Sequence, residues 1–306
     1  MTRVLVSGAS GLLGANLVLS LIERHEVIGI TRTTGLRHGR LEAHRIDLAE
    51  PGAARRVLEE TRPEAVVHCA AATDVDACER DPSTARRLNV DMAESVARAA
   101  AEAGTRLLHI STDAVFDGEG GPYAEDDVAQ PINVYGETKL AGEKAVLSAN
   151  PGALVVRTNF FGWNATSKVN LAEWFVNRVQ SGAEAQGFTD VFFSPLLVND
   201  LAGLLEALLG SDANGLLHLP GRDCVSKYDF GRRVVRAMGL DERRVRPARS
   251  EAAALPARRP LRVCLDGAKA RELLGSSLPS IDDGIATLAR LAASGHREAL
   301  RGLIVP

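Results

Sequence analysis

Cysteine is scarce in this chain of 306 residues: Cys69, Cys78, Cys224 and Cys264 lie far apart, with no CxxC pair. The sequence therefore predicts reduced thiols in a cytosol, not a disulfide framework or a zinc centre. No apolar run approaches the ~20 residues that span a bilayer. The first residues enter a strand pattern at once, Arg3-Val4-Leu5-Val6-Ser7, so no signal peptide is expected. A basic excess is missing too: 36 Lys and Arg against 39 Asp and Glu leave a formal net charge of −3. That balance argues against nucleic acid or a membrane surface as partner. Repeats, low-complexity stretches and Gly/Ser linkers are also absent. The expectation is a soluble cytoplasmic protein, long enough to bury roughly three-quarters of its unfolded surface.

What is present has a clear rhythm in the first half. Short apolar runs at Arg3–Ser7, Glu26–Thr31, Ala43–Asp47, Ala65–Cys69, Arg106–Ser111 and Ala153–Asn159 read as strands. Between them, Leu12–Arg24, Gly52–Thr61, Ser83–Ala103 and Val134–Ala149 carry a helical period. Alternation of this kind predicts an α/β fold with a doubly wound parallel sheet covered on both faces. After residue 159 the rhythm breaks. Helices are expected near Leu171–Gln180, Asp200–Leu209, Lys227–Met238 and Asp266–Leu274, separated by longer loops. Residues 1–159 are expected to form a dinucleotide-binding domain, and 160–306 a smaller, mainly substrate-binding α/β lobe with some segments returning to the sheet. The cluster Arg243, Arg244, Arg246 and Arg249 reads as a solvated surface run, with an anion contact as the alternative.

The run Gly8-Ala9-Ser10-Gly11-Leu12-Leu13-Gly14 follows the first strand and opens the first helix. In that context Gly8 takes the tight turn, Gly11 admits a pyrophosphate, and Gly14 lets helix and strand pack closely. A plain strand–helix turn is the alternative. The second strand ends at Thr31-Arg32-Thr33-Thr34 with no carboxylate. An acid there would repel a 2′-phosphate, whereas Arg32 can pair with one, so NADP is favoured over NAD. The alternative is that Arg32 is simply a solvated loop residue. Asp47-Leu48 closes the third strand, where an acid can meet an adenine amine or cap the following helix.

Tyr135 and Lys139 stand four apart at the start of a predicted helix, hence on one face. A neighbouring ammonium lowers a phenol's pKa toward the working range, so the pair reads as an acid–base unit. The fifth strand brings the hydroxyl of Thr112 to its carboxyl end, where a doubly wound sheet binds ligands. His68 and His109, inside apolar strands, are expected to be satisfied core residues. Trp163 and Trp174 are read as lobe core or cleft wall.

These motifs, with Ser111-Thr112-Asp113-Ala114-Val115-Phe116-Asp117-Gly118, resemble the extended short-chain dehydrogenase/reductase superfamily. Within it the likeness is closest to dTDP-4-dehydrorhamnose reductases. Cys69-Ala70-Ala71-Ala72-Thr73-Asp74-Val75-Asp76, Leu88-Asn89-Val90-Asp91, Arg157-Thr158-Asn159-Phe160-Phe161-Gly162 and Lys227-Tyr228-Asp229-Phe230 carry it through the chain, and Arg258-Arg259-Pro260 with Leu265-Asp266 carry it toward the end. The resemblance implies a Rossmann fold and NADPH-dependent reduction of a 4-keto sugar nucleotide. It implies that Tyr135 gives the proton, that Lys139 tunes it and holds the ribose, and that Thr112 bonds the developing alkoxide. Ala70, Ala71 and Ala72 would line the cofactor, and Asn89 would steady the nicotinamide end unless it caps a local turn. Asp113, Asn159, Phe160 and Arg259 would meet the substrate.

Two departures bear on that substrate. Ala114 replaces a tyrosine of the usual Ser-Thr-Asp-Tyr run, and Phe160 stands where a tryptophan is common. A different deoxysugar nucleotide, in a specialised-metabolite pathway, fits at least as well as the rhamnose precursor. Ala114 also lacks the acid that dehydratases place there. An epimerase and a non-catalytic regulator resembling the methionine adenosyltransferase β subunit are the remaining alternatives. No metal is expected, and a homodimer is left open.

Overall fold

The computed structural model describes residues 1–252 and 256–305. Its first half alternates β1 (Arg3–Ser7), α1 (Leu12–Leu21), β2 (Glu26–Thr31), β3 (Gly35–Leu36), β4 (Leu41–Arg45), α2 (Ala53–Thr61) and β5 (Ala65–His68). There follow α3 (Val75–Arg80), α4 (Pro82–Arg86), α5 (Met92–Glu102), β6 (Arg106–Thr112), α6 (Val134–Ala149) and β7 (Leu154–Thr158). The second half contributes β8 (Phe160–Phe161), α7 (Leu171–Gln180), β9 (Ala185–Phe188), β10 (Phe192–Phe193), β11 (Leu196–Leu197), α8 (Val198–Leu209) and β12 (Gly215–His218). It continues with β13 (Val225–Ser226), α9 (Lys227–Ala237), β14 (Val245–Ala248), α10 (Ala268–Leu274), α11 (Ile281–Ala293), α12 (His296–Leu303) and β15 (Ile304–Val305).

Seven strands form one parallel sheet in the order β12-β7-β6-β5-β1-β2-β4. Alternate residues along each central strand enter opposite cores, as the two-residue period of a strand requires. Val4, Val6, Val67, Leu108 and Val156 join the layer containing α1, α8 and α12. Leu5, Ile28, Val66, Leu107 and Val155 join the layer of α2 and α5. The fold is the expected Rossmann-type α/β sheet, and β12, from the second half of the chain, joins it beside β7.

Differences in detail have local causes. The third strand of the sheet runs Leu41–Arg45 instead of Ala43–Asp47. It lies at the sheet edge, where one side of its Leu-Glu-Ala-His-Arg sequence meets water, so it lacks the apolar run that marks a central strand. The helix expected over Ser83–Ala103 is divided: a π-helical turn at Arg87–Asp91 separates α4 from α5. Such an extra residue in the turn often marks a site where backbone is redirected, and here the carbonyl of Asn89 is brought against Gly142 of α6.

The cysteines need a correction. Cys224 and Cys264 form a disulfide, with Cα atoms 5.6 Å apart and 40 residues between them in sequence, while Cys69 and Cys78 are free. The strand β10 explains the pairing: it bonds antiparallel to β13, and Phe192 also bridges Arg262. Two distant segments are thus laid along one strand, a proximity that cysteine spacing cannot reveal. Among the described residues no helix is long and apolar enough to cross a membrane.

Candidate active site

The strand order changes direction beside β1 and β5, which opens a crevice at their carboxyl ends. Its floor is backbone. Gly8 has φ +66°, and a Cβ there would stand 2.8 Å from the amide nitrogen of Ala70. A Cβ on Gly14 would lie 2.2 Å from the carbonyl oxygen of Gly8, so α1 can pack on the turn only with glycine at that position. Ser7 Oγ accepts from the amides of Cys69 and Ala70 at 3.1 and 3.2 Å, joining the turn after β1 to the run after β5. α1 starts at N-cap Gly11 with no side-chain cap and no acid in its first turn. Its dipole therefore offers an uncompensated positive end to an anion. Ser10 and Leu12 are partly exposed there, while Leu13 turns into the core.

The other residues expected around a dinucleotide divide into two groups. Arg32 is exposed at the head of the loop after β2. Asp47 accepts from the amide of Ala49 at 3.0 Å, and its side chain closes the turn before α2. Leu48 is buried among Ile28 and Ile30, which leaves only its backbone to line a site. Asn89 is buried with its amide committed: Oδ1 accepts from Ala72 N at 2.8 Å, and Nδ2 donates to Ala72 O and Thr138 Oγ1 at 3.1 and 3.0 Å. It shapes the Ala70–Ala72 wall and ties that wall to α6, instead of reaching into the crevice.

Tyr135 and Thr112 do meet. Asn133 caps α6 by accepting from Gly136 N at 2.8 Å. A Cβ on Gly136 would stand 2.3 Å from Ala114 O, so the missing side chain lets the helix start press against the turn Asp113–Val115. The Tyr135 phenol is thereby set beside the Thr112 hydroxyl. Burial pushes the phenol up to about 12, with Thr112 pulling it back and the Asp113 carboxylate adding to the rise. This reverses the direction expected from a neighbouring ammonium. Lys139 is buried and donates to Ile110 O at 2.8 Å. Burial brings its own value down to about 8, against the opposing pull of Glu143. Its charge is held in the floor, one turn along α6, and the phenol stays protonated at neutral pH.

A second polar group lies on the lobe side. Asn159 Nδ2 donates to Asp113 Oδ2 at 2.9 Å, and Thr112 Oγ1 donates to Asp113 Oδ1 at 3.2 Å. Burial raises the Asp113 carboxyl to about 6, opposed by these bonds and by Lys227. Lys227 is itself lowered, first by burial and then by Arg259, while Asp113 raises it. Arg259 donates to Asp76 at 2.9 Å and to Ala257 O at 2.9 Å. Phe160 is partly buried on β8 beside Leu196. Lys227 was missing from the sequence-based set of site residues. It stood in a motif-like run, but only the tertiary fold brings the start of α9 to the carboxyl end of β6.

Beneath the crevice lies a buried ion pair. Arg157 on β7 grips Glu143 on α6 through Nε and Nη2 at 2.9 and 2.7 Å, and Ser111 donates to the same carboxylate at 2.5 Å. Arg157 also contacts His218 Nε2 at 3.3 Å. His68 and His109 stack with centroids 5.3 Å apart in the core. They are not fully satisfied as expected. His68 Nδ1 meets Ser7 Oγ at 2.7 Å, but His68 Nε2 and both nitrogens of His109 have no partner among the described residues. Burial and the nearby Lys139 charge bring His68 down to about 3, so it is neutral. Trp163 is buried in the core and Trp174 is partly exposed on α7.

Residues 1–293 match the family described as RmlD substrate binding domain. The chain is 33% identical over 288 residues to the probable low-salt glycan biosynthesis reductase Agl14 of Haloferax volcanii, covering 92% of this chain and 96% of that protein. It is 36% identical over 268 residues to dTDP-4-dehydrorhamnose reductase of Mycobacterium tuberculosis, with coverage of 84% and 82%. It is also 32% identical over 297 residues to methionine adenosyltransferase 2 subunit beta of Pongo abelii, with coverage of 90% and 84%. The crystal structure of Bacillus anthracis dTDP-4-dehydrorhamnose reductase in complex with NADP superposes with a TM-score of 0.80 at 26% identity, covering 94% and 98% of the two chains. The chain belongs to the RmlD substrate binding domain family, alongside the dTDP-4-dehydrorhamnose reductases of the extended short-chain dehydrogenase/reductase type.

Proposed function

We propose that this protein is an NADPH-dependent ketoreductase acting on the 4-keto group of a nucleotide-linked deoxysugar. The observation that carries this reading is a protonated phenol, Tyr135, set beside the Thr112 hydroxyl at the mouth of a glycine-lined crevice. The crevice fits a dinucleotide: Gly8 and Gly14 let the turn close against Ala70 and α1, Gly11 is exposed where a pyrophosphate would lie, and the open start of α1 offers it positive charge. Arg32, with no acid at the end of β2, suits a 2′-phosphate and so NADP over NAD. Lys139 would face the ribose and Ala70–Ala72 would line the path to the nicotinamide.

When bound, the nicotinamide would supply hydride for the carbonyl carbon. The chain's own task is to neutralise the oxygen as its charge grows. Thr112 orients that oxygen by hydrogen bonding, and Tyr135 donates its proton. A phenol raised to about 12 is a ready donor to an alkoxide but a poor base at neutral pH. Lys227, Arg259 and Asn159 suit an anionic, hydroxyl-rich substrate on the lobe side. The partly buried Phe160 and the small Ala114 support a deoxysugar other than the rhamnose precursor, as a specialised-metabolite pathway would use.

A second reading, a cofactor-binding regulatory subunit without turnover, is favoured by the 32% identity to a methionine adenosyltransferase β subunit. NADPH absorbance decides between them. With a panel of 4-keto-6-deoxy sugar nucleotides, the intact protein should oxidise NADPH and Tyr135→Phe should not. Binding of NADPH without turnover on the whole panel would overturn the ketoreductase in favour of the regulator.

A further inference from the structure

The family match stops at residue 293. The described residues beyond it pack against α1 and pair with the short strand that follows β2. α12 buries Leu300 and Leu303 completely in the core that also contains Leu13, Leu17 and Val18 of α1. At its start, His296 Nε2 lies 2.9 Å from Oδ1 of Asn16, two residues past Gly14 in the same helix. Its neighbour Arg297 stacks 4.3 Å over the Trp163 ring.

β15 then pairs antiparallel with β3, placing Ile304 opposite Leu36 and Val305 opposite Gly35. The amide of Arg37 donates to Leu303 O at 2.9 Å. A Cβ added to Gly35 would already stand 3.3 Å from Val305. On the inner side, Leu36 packs over Gly29, where an added Cβ would meet Leu36 Cδ1 at 2.8 Å and Ala9 Cβ at 3.4 Å. A continuous set of contacts therefore runs from the C-terminal strand through Leu36 to the glycine turn. The loop between β2 and β3 is held at both ends: Thr31 Oγ1 bonds Thr34 O at one, and β15 holds the other. Arg32 and Thr33 are exposed between these two anchors.

We propose that α12 and β15 are a built-in part of the dinucleotide site, positioning the 31–37 loop for recognition of the cofactor's 2′-phosphate. The proposal rests on the NADP reading above and extends it to residues beyond the family match. The physical basis is entropy. An exposed loop pinned at one end must be ordered when a phosphate binds, which costs affinity; a loop already fixed by strand pairing does not carry that cost. The effect falls on the 2′-phosphate because Arg32 lies on this loop, while the pyrophosphate is held by the glycine turn.

The test uses the full-length protein and reads cofactor affinity, with no turnover needed. Dissociation constants for NADPH and NADH are measured by calorimetry for the intact chain, for Ile304→Pro/Val305→Pro, and for Gly35→Val. The first variant removes both N–H donors of β15, and the second pushes β15 away from the opposite side. Each should weaken NADPH by roughly tenfold or more while NADH changes by less than about twofold. Adding Arg32→Ala to either variant should cost little more, since both changes remove the same interaction. Equal losses for the two cofactors, no loss in either variant, or full additivity with Arg32→Ala would each overturn the proposal. Should one variant fail to fold, the other carries the same comparison. If the intact chain binds neither cofactor, the NADP reading itself falls. If it binds NADPH and both variants bind equally well, only the role of the tail falls.

Discussion

The two sides of the crevice are built from different materials. On the dinucleotide side the surface is backbone and small residues: Gly8, Gly11, Gly14 and Ala70–Ala72, contributed by two neighbouring strand–helix turns. On the opposite side it is polar and charged side chains. Asp113, Asn159, Lys227, Arg259 and Asp76 arrive from separate segments spread over almost two hundred residues of sequence. A backbone cradle accepts the same pyrophosphate regardless of what is attached to it. A set of side chains can be exchanged one at a time, so this side can change substrate without disturbing the fold. Tyr135 and Thr112 stand where the two meet.

The largest effect should come at that meeting point. Tyr135→Phe removes the proposed proton donor and nothing from the cradle, so kcat should fall by about 10²–10⁴ while NADPH affinity is kept. Stopped-flow absorbance together with a binding titration separates these two quantities. Loss of both would mean that the sides are not independent.

Glu143→Gln breaks the floor that both sides share. It leaves Arg157 charged in a site where both partners are only 4% exposed. Loss of one member of such a pair costs about 3–5 kcal/mol, to be read from denaturant unfolding.

Cys224→Ser should loosen the lobe side alone. The disulfide closes a loop across 40 residues of sequence, and its removal should cost about 2–4 kcal/mol of unfolding free energy. The affinity for NADPH should stay within about twofold, because no cysteine of the pair belongs to the cradle. A large fall in that affinity would erase the distinction drawn here.

Asp113→Asn gives the smallest change and the sharpest sign. The folded carboxyl sits at about 6 against an ordinary 3.8. Between those values the native state binds more protons than the unfolded chain, so stability falls as pH rises from about 4 to about 6 and remains reduced at pH 7. The asparagine variant should lack this slope and gain about 1–3 kcal/mol at pH 7 relative to the parent. Thermal melts at a series of pH values check it. An unchanged slope would place the titrating group elsewhere.

Legibility in the sequence follows the same division. The glycine turn, Thr112, Tyr135 and Lys139 could be read because each belongs to a short local pattern attached to one strand or one helix. The relation between Tyr135 and Lys139 could not. Spacing put them on one face of α6, but burial and the bond to Ile110 O decided that the phenol stays protonated. Asn89 was expected to steady the nicotinamide end or cap a local turn, and its three bonds to Ala72 and Thr138 make it a brace for that wall. The disulfide and Lys227 escaped for one reason: each depends on segments far apart in sequence becoming neighbours along β10 or at the end of β6.

By itself the sequence determined the alternation of the main strands and helices in the first half, the open turn after the first strand, and the residue types available for proton transfer. These follow from short-range periodicity and from the few residues that tolerate a tight turn. The tertiary structure alone decided which of the charged residues face one another, how far burial moves Tyr135, Lys139 and Asp113 from their ordinary pKa values, and that the last strand returns to lie beside β3. Desolvation and long-range pairing depend on the summed packing of distant segments, and no local window of sequence contains that sum.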